Sequence, residues 1–184
     1  MNEKEKQHIS KFLSLVLRHK PETIELPLDE NGWADVEQLL MQSAKHHRKF
    51  TKQELEETVI TNDKQRFAFN TDKTKIRASQ GHSIQVELQL PQVQPPEFLF
   101  HGTVASFVEN IRKEGLIKRN RQHVHLSKDK DTATKVGMRR GHPVILTIKS
   151  GEMYKDQLPF FLSENKVWLT DHVPAKYIDF NDLQ

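Results

Sequence analysis

Five apolar residues near the start of the chain recur at the spacing of one helix face: Ile9, Phe12, Leu13, Val16 and Leu17. This i, i+3, i+4, i+7, i+8 pattern predicts an amphipathic helix. Asn2 is placed to cap its first turn, Glu5 completes a capping box, and the helix has to end before Pro21. The last turn then carries Arg18 and His19, cations that suit the negative end of a helix dipole.

Two more helices and a hairpin are predicted in the first half of the chain. Asp35 and Thr51 each precede a run of apolar residues at helical spacing and are predicted N-caps. Residues 66–70 and 75–79 are typical of two short strands joined by a turn. Three helices followed by a hairpin is the element order of a winged helix, a fold that serves nucleic-acid binding in some proteins and protein binding in others.

The second half alternates short apolar runs with short helical patterns. Residues 98–103 form an apolar run that stops on His101, Gly102 and Thr103, and a helical pattern follows up to Gly115. A strand, a glycine turn and a helix N-terminus together suit a nucleotide or another anion. Further buried strands are predicted at 144–148, 159–162 and 167–170.

Residues 123–127 alternate strictly between polar and apolar side chains. The alternation places His123 and His125 on one strand face and turns Val124 and Leu126 toward the core. Two histidines on one face suit zinc, but no acidic or cysteine ligand stands at metal-binding spacing, so we predict no metal site. Ser127 is the predicted cap of the next helix.

That helix is predicted to carry Ala133 and Val136 and to stop at Gly137. Arg139 and Arg140 would then lie on a loop.

Three prolines divide the chain. Pro91, Pro95 and Pro96 lie in a segment without helical or strand periodicity, which predicts a stiff linker at 91–97 between a lobe of residues 1–90 and a lobe of residues 98–184. The predicted fold class is therefore α+β in two lobes.

Composition narrows the location and the partners. The 184 residues include no cysteine, and 35% are hydrophobic, without any apolar run long enough to span a membrane. The first residues are charged and lack the apolar core of a secretory signal, so we expect a cytoplasmic protein without membrane attachment. A monomer is the expected oligomeric state. The net charge is +3, and the excess of basic residues lies beyond residue 90, a distribution typical of a solvated face and also suited to phosphates.

A polar loop follows the predicted hairpin. Arg77, Gln80, His82 and Ser83 surround Gly81 at the exit of a strand. Such a loop is equally typical of an ordinary surface and of several side chains converging on one ligand.

Six short motifs occur together in order, and they carry a resemblance: Leu17-Arg18-His19-Lys20, Arg66-Phe67, Ile76-Arg77 through Gln80-Gly81-His82-Ser83, His101-Gly102-Thr103, Val124-His125-Leu126-Ser127 and Val136-Gly137-x-Arg139. From about residue 3 to about residue 180 the chain resembles the NAD-dependent RNA 2'-phosphotransferases, which remove the splice-junction 2'-phosphate from tRNA. Each motif alone is weak, whereas six in register are specific.

The resemblance implies an N-terminal winged-helix lobe that binds RNA and a C-terminal lobe, similar to ADP-ribosyltransferases, that binds NAD. It implies transfer of the RNA 2'-phosphate to NAD+ through an RNA 2'-phospho-ADP-ribosyl intermediate. The products would be 2'-OH RNA, nicotinamide and ADP-ribose 1'',2''-cyclic phosphate. The implied partners are NAD+ as co-substrate and a 2'-phosphorylated RNA, such as a tRNA.

The resemblance also implies roles for individual residues. The implied catalytic set is Arg18, His19, Arg66 and Arg139, and the implied NAD-binding set is His101, Gly102, Thr103, His125 and Ser127. For contact with RNA or phosphate we expect Arg77, Gln80, His82, Ser83 and Arg140. Where the family often has Arg-His-Gly, this chain has Arg139-Arg140-Gly141, so Arg140 is the alternative to Arg139.

The chemistry of the reaction fits these residue types independently. A phosphate monoester has a second pKa of about 6, so near neutral pH it is already an anionic nucleophile that needs positioning more than a base. Arginine forks hold phosphate oxygens in pairs, and histidine is suited to move one proton near neutral pH.

Two other interpretations remain compatible with the sequence. One is a general ADP-ribosyltransferase that modifies nucleic-acid terminal phosphates or proteins. The other is a winged-helix binding protein without enzymatic activity, for which replacing Arg18, His19 or Arg139 would leave function intact.

Overall fold

A computed structural model describes residues 1–180 of the chain. The chain divides into two compact units, Met1–Gln89 and Leu90–Gln184. Each unit is built around a hydrophobic core of its own.

The first unit contains three α-helices: α1 (Glu3–Arg18), α2 (Val36–Lys45) and α3 (Lys52–Ile60). Local sequence explains where each begins. The side chains of Asn2, Asp35 and Thr51 accept hydrogen bonds from the third helical N–H groups, and Glu5 and Glu54 complete capping boxes. These three predicted caps are confirmed. A 3-10 turn, Pro21–Ile24, follows α1.

The helices of the first unit pack with a small antiparallel sheet. Its strands are β1 (Ala34–Asp35), β2 (Phe67–Phe69) and β3 (Lys75–Ala78), in the order β1-β3-β2. Phe67 pairs with Ala78 and Phe69 with Ile76, which confirms the predicted hairpin. Leu13, Val16 and Leu17 from the apolar face of α1 are fully buried in the core.

The second unit contains eight short strands, all in antiparallel pairs within the described part of the chain. They are β4 (Leu99–Val104), β5 (Leu116–Ile117), β6 (Val124–Leu126), β7 (Pro143–Ile148), β8 (Phe161–Leu162), β9 (Trp168–Thr170), β10 (His172–Val173) and β11 (Ile178–Asp179). One sheet has the order β11-β7-β4, a second has β6-β9-β8, and β5 pairs with β10.

Three helices complete the second unit: α4 (Ala105–Glu114), α5 (Lys130–Gly137) and α6 (Ser150–Lys155). Two 3-10 turns, Met138–Arg140 and Ala175–Tyr177, follow α5 and β10. The mixed α and β content predicted from sequence is confirmed, with six α-helices and several small antiparallel sheets in residues 1–180. None of these helices is both long and apolar enough to span a bilayer.

Two local predictions are wrong. Asp129, not Ser127, caps α5, because its side chain accepts from the Thr132 N–H at 2.7 Å while Ser127 is engaged in strand pairing. Arg139 and Arg140 lie in the 3-10 turn that continues α5 rather than on an open loop.

The proline-rich segment 91–97 is hydrogen-bonded to the second unit. The Val93 N–H donates to the Phe160 carbonyl at 2.9 Å, and the Ser150 hydroxyl donates to the Pro96 carbonyl at 2.7 Å. The Gly151 N–H donates to the Glu97 carbonyl at 2.9 Å. The segment predicted as a stiff linker is therefore bonded to the second unit through backbone groups, and backbone pairing outside regular strands leaves no side-chain pattern in the sequence.

Candidate functional site

The end of α1 brings Arg18 to Arg66. Arg18 is half-buried, and its Nη2 donates to the Arg66 carbonyl at 3.3 Å. Its guanidinium carbon lies 5.8 Å from the centre of the Phe67 ring. The side chain is therefore held by the residues that open β2, and two arginines predicted to be catalytic are neighbours despite their separation in sequence.

The polar loop after β3 packs onto this helix end. The Ser83 N–H donates to the Arg18 carbonyl at 2.9 Å, which satisfies one of the carbonyls that a helix leaves without an internal partner. The Ser83 hydroxyl and His19 Nδ1 are hydrogen-bonded at 2.9 Å. Because both side chains are exposed, Arg18, His19 and Ser83 form a hydrogen-bonded group at the surface of the first unit.

His82, the neighbour of Ser83, has the opposite environment. It is 1% exposed, and neither ring nitrogen has a hydrogen-bond partner in residues 1–180. Burial, followed by the nearby charges of Arg18, His19 and Arg77, lowers its pKa to about 4. The ring is therefore neutral near pH 7 and lies beneath the surface on which we expected it to meet phosphate.

Two other residues of the loop region are half-buried. The guanidinium of Arg77 stacks on the Trp33 ring at 4.4 Å from its centre. Gln80 has its side-chain oxygen buried without a hydrogen-bond partner among the described residues. Both side chains are therefore partly buried in the first unit, although we expected them to contact RNA or phosphate.

In the second unit, β4 and β6 bring His101 to His125. Phe100 and Ser127 exchange backbone hydrogen bonds at 2.8 Å in both directions, which joins the two strands. His101 Nδ1 lies 3.1 Å from the His125 carbonyl oxygen. Since a carbonyl only accepts, we assign a proton to His101 Nδ1.

The protonation of His101 follows from its surroundings. Burial lowers its pKa, the hydrogen bond to His125 partly opposes this effect, and Arg140 and Arg121 lower the pKa again. A neutral His101 with the proton on Nδ1 has a lone pair on Nε2. It is therefore a hydrogen-bond acceptor for a ligand.

His125 has a partner on its own ring. Arg121 Nη1 lies 2.9 Å from His125 Nδ1. The flanking residues Val124 and Leu126 are buried, as the alternation predicts, and pair with Thr170 and Trp168 of β9. Arg121 was not among the site residues predicted from sequence, and its only signal is its place four residues before His125.

Gly102 and Thr103 serve packing in this structure. A Cβ on Gly102 would lie 1.8 Å from the Ala133 carbonyl oxygen of α5, and one on Gly137 would lie 2.9 Å from the Pro143 Cβ. Thr103 is 5% exposed. The two glycines let α5 approach β4 at backbone distance, which fixes the turn that carries Arg139 and Arg140.

Both arginines of that turn are exposed. The Arg140 and Arg119 guanidinium carbons lie 5.7 and 5.6 Å from the centre of the Phe107 ring. Burial lowers the pKa of His101, and the charge of Arg140 lowers it further. Burial also lowers the pKa of Arg121, and the charges of Arg140 and Arg139 add to this effect. No carboxylate in residues 1–180 forms an ion pair with Arg119, Arg121, Arg139 or Arg140, so this face is suited to an anion.

The structure thus gathers the predicted residues into two groups. The first unit holds Arg18, His19, Arg66 and Ser83, above a buried His82. The second holds His101, His125 and Ser127, together with the arginine turn. Within residues 1–180, no three histidine or acidic side chains are grouped closely enough to hold a metal ion.

Comparison with known proteins shows which family the sequence belongs to. Residues 4–172 match the family model described as RNA 2'-phosphotransferase, Tpt1 / KptA family. A Flavobacterium johnsoniae protein named as a probable RNA 2'-phosphotransferase is 63% identical over 180 residues, covering 98% of this chain and 99% of its own. A Streptomyces coelicolor protein of the same name is 53% identical over 172 residues, covering 94% of this chain and 93% of its own.

A third similar protein comes from Escherichia coli K12 and is named RNA 2'-phosphotransferase. It is 49% identical over 180 residues, covering 97% of this chain and 98% of its own. With a family match over most of its length and relatives of this similarity, the chain belongs to the Tpt1 / KptA family of RNA 2'-phosphotransferases.

Proposed function

We propose that this protein transfers the internal 2'-phosphate of an RNA, of the tRNA splice-junction type, to NAD+. The products are 2'-OH RNA, nicotinamide and ADP-ribose 1'',2''-cyclic phosphate. The observation that carries the proposal is the group of Arg18, His19 and Ser83 at the end of α1, in a chain that matches the family from residue 4 to residue 172.

The arginines of the first unit are proposed to hold the phosphate. Phosphate has three oxygens that accept hydrogen bonds, and a planar guanidinium donates to two of them at once. Arg18 is anchored by the Arg66 carbonyl and stacked against Phe67, so little of its side-chain entropy is left to lose on binding. Such preorganised donors also stabilise the negative charge that builds on the phosphoryl oxygens during transfer.

His19 is the proposed proton carrier. Its hydrogen bond to Ser83 orients the ring, and its exposure leaves it accessible to a substrate. When the bond between phosphorus and the RNA 2'-oxygen breaks, that oxygen needs a proton, and the ribose 2''-OH that attacks phosphorus has to lose one. An imidazole can both donate and accept a proton, so its ring is suited to either transfer.

The second unit is the proposed site of the dinucleotide. His101 offers an acceptor at Nε2, and the arginine face without ion pairs is suited to the diphosphate. When bound, NAD+ supplies the ribose carbon that accepts the phosphate and a leaving group in nicotinamide. The residues named here bind and orient it.

The proposal is tested with a short 2'-phosphorylated RNA oligonucleotide, incubated with and without NAD+. We expect loss of the phosphate, release of nicotinamide and formation of the cyclic phosphate only when both substrates are present. If the phosphate is not removed when NAD+ is added, the proposal is wrong. Stable ADP-ribosylated RNA would instead identify a general ADP-ribosyltransferase.

Matched variants make the assay specific. Arg18→Gln should reduce turnover by at least about a hundredfold, since it removes a charged donor to the reacting group. Lys20→Gln removes the same charge two residues later, from an exposed side chain, and should have little effect. Equal losses in both variants would show that the activity depends on net charge rather than on the group at the end of α1.

A further inference from the structure

Ser79 connects the end of β3 to the two residues that precede β2. It is 3% exposed. Its hydroxyl donates to the Gln65 carbonyl at 3.0 Å, and its N–H donates to the Arg66 carbonyl at 2.9 Å. Because a hydroxyl has a single hydrogen, the bond to Gln65 uses the whole donor capacity of this side chain. Two consecutive carbonyls are therefore held by one buried residue.

The Arg66 carbonyl accepts a second hydrogen bond. Arg18 Nη2 lies 3.3 Å from the same oxygen, which has two lone pairs and can accept from both donors. The peptide group that Ser79 holds is thus also the anchor of the Arg18 side chain. A shift of this peptide would move the base of the Arg66 side chain and the anchor of Arg18 together.

The turn before Arg66 has an unfavourable backbone conformation. Gln65 has a φ of 42°, in the left-handed region, which residues with a Cβ adopt at a cost in free energy. The N–H groups of Gln65 and Arg66 donate to the carbonyl and the side-chain oxygen of Asn62, at 2.8 and 3.4 Å. Ser79 bonds the carbonyl side of the same two residues. Hydrogen bonds from both sides therefore stabilise a turn that its own dihedral angles disfavour.

We infer that Ser79 is a positioning residue for the phosphate site of the first unit. It holds the turn at Gln65 so that the guanidinium groups of Arg18 and Arg66 are directed at one phosphate. The inference rests on the proposed function for the role of these two arginines. The sequence predicts RNA or phosphate contacts for Arg77 and Gln80 and none for Ser79, which lies between them.

The test uses Ser79→Ala, which removes the hydroxyl and keeps the N–H that bonds Arg66. Without NAD+, so that no transfer occurs, the affinity is measured for a short 2'-phosphorylated RNA and for the same RNA with a 2'-OH. We expect Ser79→Ala to bind the phosphorylated RNA about tenfold more weakly, the scale of one lost contact to a charged group. Binding of the 2'-OH RNA should not change. An equal loss for both RNAs, or no loss for either, would overturn the inference.

Ser43→Ala is the matched control. Ser43 is fully buried in α2, and its hydroxyl has no hydrogen-bond partner in residues 1–180. Its replacement should leave both affinities unchanged, and thermal melting compares the folding of the variants. Ser79→Thr retains a hydroxyl and should keep most of the preference for the 2'-phosphate. A loss of this preference in Ser43→Ala, or a loss in Ser79→Thr as large as in Ser79→Ala, would contradict the positioning role.

The two proposals fail separately. If NAD+ does not lead to removal of the 2'-phosphate but Ser79→Ala selectively weakens binding of the phosphorylated RNA, the proposed function is wrong and the role of Ser79 holds. If the phosphate is transferred and Ser79→Ala keeps the full preference for phosphorylated RNA, the inference alone is wrong. An unaltered protein without any such preference would contradict the inference whether or not the phosphate is transferred.

Discussion

At the scale of single residues, histidines that stay neutral beside arginines recur in both units. Burial lowers the pKa of His82 in the first unit and of His101 in the second, and neighbouring arginines lower both further. A neutral imidazole packs among cations without adding to their repulsion, so the positive charge of each group is left for an anionic ligand.

His82 should make the protein less stable in acid. The unfolded chain takes up a proton at about pH 6.5, whereas the folded chain does so only near 4. Between these values the unfolded state binds more protons, so stability falls as pH drops from about 6.5 to about 4, by up to about 3 kcal/mol. Chemical denaturation at pH 7 and pH 4.5 should show a smaller loss in His82→Phe, which keeps an aromatic ring that cannot titrate.

An exposed histidine controls for the loss of one imidazole. His8→Gln, on the outer face of α1, should show the same acid destabilisation as the unaltered protein. If His82→Phe also loses as much stability as the unaltered protein, the burial of His82 is not the cause.

The two arginines after α5 should differ in effect. We expect Arg139→Ala to slow the second step, in which the ribose 2''-OH attacks phosphorus and the RNA 2'-oxygen leaves, by at least about a hundredfold and to leave NAD+ binding nearly unchanged. Arg140, which lies on Phe107 and acts on His101, should affect NAD+ binding more when replaced. Single-turnover rates and NAD+ titrations of both variants check this, and the reverse pattern would make Arg140 the catalytic residue.

Residue types that suit phosphate were visible in the sequence, but their environments were not. Arg18 and His19 are adjacent in the chain, so their grouping needs no tertiary structure. The contact of Ser83 with the end of α1 and the burial of His82 depend on how a loop folds back across more than sixty residues. The loop is rich in polar residues, so its sequence gave no indication that His82 is buried.

At the scale of elements, helix starts were predictable because capping is local. Asn2 and Thr51 form capping boxes within four residues, and their identity alone determines the bond. The strands β5, β10 and β11 have two residues each, too short for any alternation to register. α6 has six residues, which is also below the length at which helical periodicity can be recognised.

The start of α5 provides a direct test of capping. Asp129→Ala should destabilise the protein by about 1 kcal/mol, because the Thr132 N–H loses its acceptor. Ser127→Ala should cost less, since Ser127 uses its backbone rather than its side chain in pairing with Phe100. Thermal melting of both variants measures the difference in stability. A larger loss of stability for Ser127→Ala would show that Ser127 is the cap of α5.

At the scale of the whole molecule, the division into Met1–Gln89 and Leu90–Gln184 puts the boundary just before the three prolines. The three prolines and the loss of helical and strand periodicity predicted a boundary near residue 90. They did not show that the proline segment belongs with one side, because the bonds that hold it are made by backbone groups to partners far along the chain.

Hydrogen exchange should reveal this attachment. The Val93 N–H, bonded to the Phe160 carbonyl, and the Gly151 N–H, bonded to the Glu97 carbonyl, should exchange much more slowly than the same amides in an unstructured peptide. NMR exchange rates of the intact protein check the expectation. Rapid exchange at both amides would mean that 91–97 is a solvated linker.

The contact of Gly102 and Gly137 has a consequence for how related sequences are interpreted. Because a single methyl group at Gly102 would overlap the Ala133 carbonyl oxygen, every chain with this arrangement has to keep a glycine there whether or not it still catalyses a reaction. A homologue that had lost its chemistry and become a binding protein would retain both glycines. Shared glycines therefore report common ancestry of the fold, and only the arginines and histidines beside them report shared activity.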